Sequence, residues 1–469
     1  MRTVVMKFGG TSVGDAAAIT QAADLVQQSM SQWDHIVVVV SAMRGVTDAL
    51  IQGALTASQG DTQTYQKSVS ELRIRHTLAV AGLIHDSSAQ TALLKEIDHY
   101  LDDFAMFCHS IHVLGEVTPR AMDAVSSLGE RINARIVAAR LEAIGLPARA
   151  VDATELIVTD DRFQRATPLL DATRERVKQH LEPLLEQHIV PVVTGFIGAT
   201  REGLTTTLGR GGSDYSAAIL GAALEADEVW TWTDVDGVLT GDPRIVPDAH
   251  VIPELSYSEV AELAYFGAKV LHPKTIRPVI EHNIPLWVKN TFNPACPGTR
   301  IVAEPKSTPG TVKAVTAIQG LSMVTVEGRG MMGVPGIAAR TFAAVASRGA
   351  SVLMISQASS EQSICFVIPS EDETAVVKAI EEEMALELAR RDIDRVWSQG
   401  DVVIISAVGA GLRDTPGVAA RLFSALAAEG INIIAIAQGS SECSISLVVN
   451  STQATQAVRQ IHKEVIAHD

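Results

Sequence analysis

Cysteine is scarce in this chain, with four in 469 residues at positions 108, 296, 365 and 443 and no C-x-x-C pair. Spacing that wide favours free thiols in a reducing compartment over a disulfide framework or a zinc site. No apolar run is long enough for a bilayer; 36–40 is instead the pattern of a buried parallel strand. A strand pattern begins at Thr3, which leaves no room for a signal peptide, so a cytoplasmic protein without membrane partners is expected. Basic residues are outnumbered 38 to 54, giving a formal net charge of −16. Polyanion binding needs concentrated Lys and Arg, so a nucleic-acid partner is not expected. There is no Walker-type G-x-x-x-x-G-K-S/T, and the histidines lack metal-ligand spacing, so neither a P-loop nor a protein-built metal site is expected.

With 47% hydrophobic residues the chain has material for two or three ordinary cores. Up to about residue 300, strand and helix patterns alternate. Strands are expected at 3–8, 36–41, 148–152, 189–195, 228–233 and 286–290, which makes the fold class α/β with a mainly parallel sheet between helices. The stretch 63–112 is helical throughout, with Leu94, Ile97, Leu101, Phe104, Cys108 and Ile111 on one face. A polar linker containing Pro and Gly at 304–310 then separates a region built on an internal repeat. The words around Gly336 and Gln357 recur around Gly417 and Gln438 at a constant offset of 81 residues. The first copy reads strand 322–327, helix 336–348, strands 352–357 and 363–368, helix 373–388 and strand 394–397, a ferredoxin-like βαββαβ unit. The second copy stops at its helix near Val465, and the unassigned strand 311–318 is a candidate for its missing place. The expected domains are 1–303, 311–398 and 399–469.

Two loops share one design. Lys7-Phe8-Gly9-Gly10-Thr11-Ser12 and Gly209-Arg210-Gly211-Gly212-Ser213-Asp214 each follow an apolar strand and precede a helix, the second at 213–224. Glycines let backbone N–H groups converge on an anion, and a helix N-terminus favours negative charge there. Two such loops with Lys7 and Arg210 fit a site for several anionic groups, such as a phosphoryl donor and an anionic acceptor. A third glycine-rich word, Gly328-Arg329-Gly330-Met331-Met332-Gly333, satisfies G-x-G-x-x-G. The dinucleotide reading also wants an acid at the next strand's end, where Gln357 stands.

These loops, with Trp232-Thr233-Asp234-Val235-Asp236-Gly237, Asp242-Pro243-Arg244 and Phe266-Gly267-Ala268-Lys269-Val270-Leu271-His272-Pro273, resemble the aspartokinases of the amino-acid kinase family. The repeat resembles paired ACT domains, closest to the threonine-sensitive type. The resemblance implies the amino-acid kinase fold, ATP as co-substrate with Mg²⁺ held largely by its phosphates, and phosphorylation of the aspartate β-carboxylate. It further implies Lys7 and Asp214 as catalytic residues, with Asp214 capping its helix and orienting Lys7. Aspartate would be held by Ser41, Ala42, Thr47, Glu130, Phe196, Arg210, Gly211 and Ser213. The nucleotide would be held by Lys7, Gly9, Gly10, Thr233, Asp234, Asp236, Gly237, Arg244 and Lys269. A guanidinium fork at Arg210 suits the α-carboxylate. Glu130 suits the ammonium, or is a helix-start carboxylate paired with Arg131 or Arg135. Leu239 stands where the family usually has tyrosine, which leaves the nucleotide preference open. His272 reads as structural, because phosphorylating a carboxylate needs no base. Gln357 and Gln438 are the implied effector contacts, with threonine as effector and lysine as the alternative. The expected partners are thus small molecules and further copies of the chain, in a homodimer or higher oligomer joined through the ACT modules. Glutamate, N-acetylglutamate, carbamate and UMP kinases, a non-catalytic amino-acid sensor and a piece of a bifunctional enzyme are the rival readings.

Overall fold

The computed structural model describes residues 1–267, 271, 273–305, 311–358, 362–438 and 443–466. Two compact units emerge: Met1–Val238 with Val251–Tyr257 and Lys269–Pro305, and Leu239–His250 with Ser258–Ala268 and Lys306–Asp469.

The first unit is built on an eight-stranded sheet. Its strands are β1 (Thr3–Phe8), β2 (His35–Val40), β3 (Ala148–Val151), β4 (Val190–Thr194), β7 (Glu228–Thr233), β8 (Glu254–Ser256), β9 (Leu286–Asn290) and β10 (Thr299–Val302), while β5 (Ile197–Ala199) and β6 (Thr205–Thr207) form a separate hairpin. The order is β3-β4-β2-β1-β7-β9-β10-β8. Neighbours run parallel except β10 against β9. Every residue of β1 is buried, as expected for a central strand covered on both faces. Helix Gly212–Ala223 approaches so closely at Gly221 that a Cβ there would lie 2.5 Å from Val229 Cγ2. Parallel strands end on one side of the sheet, so Gly9-Gly10, Ser41-Ala42, Gly195-Phe196 and Asp234-Val235 all follow carboxyl ends.

The helical stretch at 63–112 is two helices, Thr62–Leu83 and Ser87–Leu114, interrupted at 84–86. Asp86 ends the continuity by capping the second helix, taking the Ala89 N–H at 2.7 Å. The buried stripe of that second helix begins at Leu93 rather than Leu94 and continues through Ile97, Leu101, Phe104, Cys108 and Ile111.

In the second unit, β11 (Ala314–Glu327), β12 (Met354–Gln357), β13 (Ser363–Pro369), β14 (Arg395–Val408), β15 (Ala435–Ala437) and β16 (Ser444–Asn450) form an antiparallel sheet ordered β12-β13-β11-β14-β16-β15. Both 14-residue strands, β11 and β14, serve both repeats. Ala314–Ile318 pairs with Val408–Ile404 beside β16, and from Leu321 onward β11 pairs with β13 as well. Left-handed residues Gly320 (φ 74°) and Asp401 (φ 53°) mark where the pairing shifts. The expected helix 373–388 breaks at buried Met384 into Glu373–Glu383 and Ala385–Arg390. Gly328 and Gly330 serve packing: Cβ atoms there would lie 2.3 Å from the Asp392 carbonyl oxygen and 2.6 Å from Asp392 Cα.

The units separate between Pro305 and Lys306, close to the expected 303, but two earlier stretches also join the second unit. Stretches 239–250 and 258–268 pack within the second unit. Val246 lies in the core with Val403, Ile405 and Leu422, and Thr240 Oγ1 meets His462 Nε2 at 2.9 Å. Phe266 packs with Leu321, Met354 and Val448, while Tyr265 Oη donates to the Leu353 carbonyl at 3.2 Å. Buried apolar anchors, rather than chain order, decide membership. None of the four cysteines is in a disulfide, and no helix among the described residues is long and apolar enough to cross a membrane.

Candidate active site

A cavity of about 740 Å³ opens at the carboxyl ends of β1, β2 and β4. It is large enough for a small-molecule substrate. Lys7, Gly10, Ser41, Ala42, Thr47, Glu130, Phe196, Arg210, Gly211, Ser213 and Asp214 line it together. Residues 170 or more apart in the chain converge because β1, β2 and β4 are near neighbours in the sheet.

Lys7 is the penultimate residue of β1 and almost fully buried, and its Nζ lies 2.7 Å from Asp214 Oδ1. Asp214 does not cap its helix. The N-cap is Gly211, whose left-handed φ of 72° only glycine adopts without strain, and no side chain caps that end. Asp214 sits in the first turn instead, free to hold the lysine. Substituents are excluded all round this turn: a Cβ on Gly212 would meet Phe196 Cδ2 at 2.6 Å, and one on Gly195 would meet Ser213 Cβ at 2.7 Å. Phe196 adopts a left-handed φ of 69°, and its N–H donates to Ser216 Oγ at 3.0 Å.

Arg210 is exposed at the loop apex and has no ion-pair partner among the described residues. Glu130 is buried in helix Leu128–Ala143. Its Oε1 accepts from the Ala42 N–H at 3.2 Å, while Oε2 is buried without a partner. Burial pushes its carboxyl up to about 8, against the opposing pull of the Ala42 and Glu130 backbone N–H groups. Neither arginine nearby relieves it: Arg131 pairs with Asp152 at 3.1 Å and Arg135 with Glu96 at 3.2 Å. A buried, unpartnered carboxylate oxygen in a cavity is a site for a cation or ammonium group.

The other expected residues lie elsewhere. Gly9 is absent from the lining, and its N–H is already donated to the Trp232 carbonyl at 3.1 Å. Thr233 ends β7 and Asp234 follows it, with Thr233 Oγ1 donating to Asp234 Oδ1 at 3.2 Å. Asp236 Oδ1 accepts from Asn290 Nδ2 at 2.7 Å and Asn293 Nδ2 at 3.0 Å, fastening this loop to the end of β9. Gly237 is buried, with a Cβ position 2.6 Å from Thr299 Oγ1. Arg244 belongs to the second unit, where it pairs with Asp242 at 2.7 Å. Lys269 and His272 lie outside the described residues. In the second unit, Gln357 ends β12 and Gln438 follows β15, both exposed at edge strands. Trp232 is core, 3% exposed and stacked on Phe8 at 6.0 Å.

The motif words did not reveal Arg44, Asp48, Asp123 or Gln164, which also line the cavity. Nor did they reveal Asn133, whose Nδ2 holds the Ser41 carbonyl at 2.6 Å.

Residues 2–290 match the model described as the amino acid kinase family, and 324–384 and 405–465 each match the ACT domain. Aspartokinase 3, chloroplastic, of Arabidopsis thaliana is 35% identical over 486 positions, covering 100% of this chain and 82% of that protein. The chain belongs to the aspartokinases of the amino acid kinase family. The bifunctional aspartokinase/homoserine dehydrogenase 2, chloroplastic, of Arabidopsis thaliana is 36% identical over 466 positions, covering 98% of this chain and 50% of that one. The chain thus spans about half the length of the bifunctional aspartokinase relatives it matches. E. coli aspartokinase III shares the aspartokinase fold with 29% identity and a TM-score of 0.80 in its complex with aspartate and ADP, over 99% of this chain and 100% of that one. In its complex with lysine and aspartate the TM-score is 0.79 at 30% identity, over the same shares.

Proposed function

We propose that this aspartokinase transfers the γ-phosphoryl group of ATP to the β-carboxylate of L-aspartate, the first step toward lysine, threonine and methionine. The observation that carries the reading is the unpartnered Glu130 carboxylate in one cavity with Arg210 and the Lys7–Asp214 pair. An α-amino acid needs an acid for its ammonium and a cation for its α-carboxylate, and the two groups supply both. Its β-carboxylate oxygen attacks the γ-phosphorus, the bond to the bridging oxygen breaks, and ADP leaves with the electron pair. A carboxylate nucleophile has no proton to lose, so Lys7 acts through charge on the transferring group, held in place by Asp214. The E. coli relative's complex with aspartate and ADP supports the same substrate pair.

Gly10 is the first-loop glycine assigned to the phosphates, while Thr233, Asp234, Asp236 and Gly237, with Arg244 and Lys269 from the motif words, complete the nucleotide contacts. Among the described residues no cluster of three or more His, Cys, Asp or Glu could hold a metal ion. No residue is therefore assigned to Mg²⁺, whose charge neutralisation would be delivered on the phosphates themselves.

The ACT pair would bind an amino-acid end product through Gln357 and Gln438. Threonine is favoured, because an amide both donates and accepts and so matches a hydroxyl side chain. Lysine is the second reading, favoured by the lysine complex of E. coli aspartokinase III. Association through the ACT modules would cover the edge strands β12 and β15, where Ile355 and Ile436 are 51% and 42% exposed. The test is ADP release with hydroxylamine trapping of the acyl phosphate over aspartate, glutamate and N-acetylglutamate. Turnover of either alternative at the aspartate rate, or none with aspartate, overturns the reading.

A further inference from the structure

Asp123 is a completely buried carboxylate on helix Pro119–Ser126, and it belongs to none of the motif words. It makes no ion pair among the described residues. Its Oδ1 accepts from Gln164 N at 3.0 Å and Thr207 Oγ1 at 2.8 Å. Its Oδ2 accepts from Gln164 N at 2.9 Å and Thr207 N at 3.0 Å. Both segments it grips lead to one place. Thr207 ends β6, two residues before Gly209, and its carbonyl accepts the Ala166 N–H at 2.9 Å. Gln164 holds a left-handed φ of 68° without being glycine, and its carbonyl oxygen lies 3.1 Å from where a Gly209 Cβ would be. Beyond these anchors comes the apex of the second glycine loop, with Gly209 and Gly211 left-handed at 79° and 72° and exposed Arg210 between them.

We infer that Asp123 is a positioning residue for substrate binding, fixing the Thr207 root of the loop that presents Arg210 to the aspartate α-carboxylate together with the Gln164 segment packed against Gly209. The inference rests on the aspartate-kinase reading and deepens it. A carboxylate suits the task because it offers only acceptors: three hydrogens, two of them backbone N–H groups, converge on it from two directions. An asparagine would turn an NH₂ toward one of those donors and leave a buried N–H without a partner. Burial raises the Asp123 carboxyl above its ordinary value, and the Gln164 and Thr207 contacts offset only part of that rise. Lys7 is rooted in β1 and Asp214 in its own helix, so loosening the loop root displaces Arg210 more than the catalytic pair.

Steady-state kinetics of the whole chain, with aspartate and ATP varied separately, test this on Asp123→Asn and Thr207→Val, alongside thermal melting. Losing one buried acceptor in Asp123→Asn is expected to raise the aspartate KM on the order of tenfold, and losing one donor to it in Thr207→Val ~threefold, with kcat and the ATP KM within about threefold of wild type. An unchanged aspartate KM in folded Asp123→Asn overturns the inference. So does a parallel shift in kcat and both KM values, which marks general loosening. If Asp123→Asn does not fold, Thr207→Val decides by the same criteria. A wild-type chain inactive on aspartate overturns the functional reading and this inference together, whereas an active wild type with indifferent variants overturns the inference alone.

Discussion

The two glycine loops share a sequence grammar and differ in what the fold does with them. In the first, the backbone is largely spent on structure: Gly9 donates to Trp232, Val13 to Gly9 at 3.2 Å and Gly14 to Thr11 at 3.4 Å. Its helix begins only at Ala16 and is already capped by Asp15, whose carboxylate takes the Ala18 N–H at 2.9 Å. The second loop runs straight into its helix with Gly211 as N-cap and no side-chain cap, beside the cavity. Of the two loops, the second is the one whose helix N-terminus stands free to meet an anion. A glycine pair after a strand announces a tight turn; whether its N–H groups are free depends on what the turn packs against. The first loop contributes chiefly through Lys7, the second through its backbone, Arg210 and Asp214.

The largest effect expected from this contrast is at the bridge between the loops. Lys7→Ala should lower kcat by on the order of a hundredfold or more, and Asp214→Asn by less, because the lysine survives with its orientation loosened. Wild-type kcat in a folded Lys7→Ala chain would remove the first loop from the chemistry.

Next comes the acid between them. Glu130, pushed up to about 8 in the empty cavity, is mostly neutral at pH 7, yet an ammonium wants the carboxylate. The aspartate KM should therefore fall as pH rises from about 6 and flatten above about 8. Its folded value lies above the 4.5 of the free group, so its contribution stabilises the empty fold at low pH and fades as pH rises from 4.5 through about 8. Glu130→Gln should abolish both trends while raising the KM at high pH. A profile with the same slope in the variant would assign it to another group.

The loops themselves should respond unequally to one added methyl. A Gly212 Cβ would collide with Phe196 at 2.6 Å, while one on Gly9 meets nothing nearer than Lys7 Nζ at 3.5 Å. Gly212→Ala is expected to cost roughly 1–3 kcal/mol of stability and Gly9→Ala under about 1 kcal/mol. Equal losses in chemical denaturation would erase the distinction. The smallest effect is expected in the second unit, where Gln357→Ala and Gln438→Ala should weaken inhibition by threonine several-fold with basal kinetics intact. Full sensitivity in both variants would clear the glutamines of effector binding.

Much of this was legible in the chain because it is local. Strand periodicity located β1, β2 and β7, and the repeat located paired strands and helices whose N-caps, Gly336 and Gly417, are left-handed at 92° and 89°. The loop words hold Lys7, Gly10, Arg210, Gly211, Ser213 and Asp214 of the cavity, since glycines, a lysine and an arginine beside a turn carry their chemistry in their spacing, while Ser41, Ala42, Thr47, Glu130 and Phe196 came only from the family resemblance. What escaped was set by distant partners. Asp123 is an unremarked acid until Gln164 and Thr207 meet it. The break at Met384 follows from burying that side chain completely, and helical propensity does not register it.

By itself the sequence determined the parallel sheet, the duplicated modules and the kinase words, because hydrophobic period, turn glycines and repeat offset are written in order along the chain. Tertiary structure alone decided that β11 and β14 each serve both modules, and that 239–250 and 258–268 leave their sequence neighbours for the second unit. It also decided that Glu130 stays unpartnered while Arg131 and Arg135 find other acids. Burial and pairing depend on which surfaces meet in space, and residues adjacent in the chain need not share them.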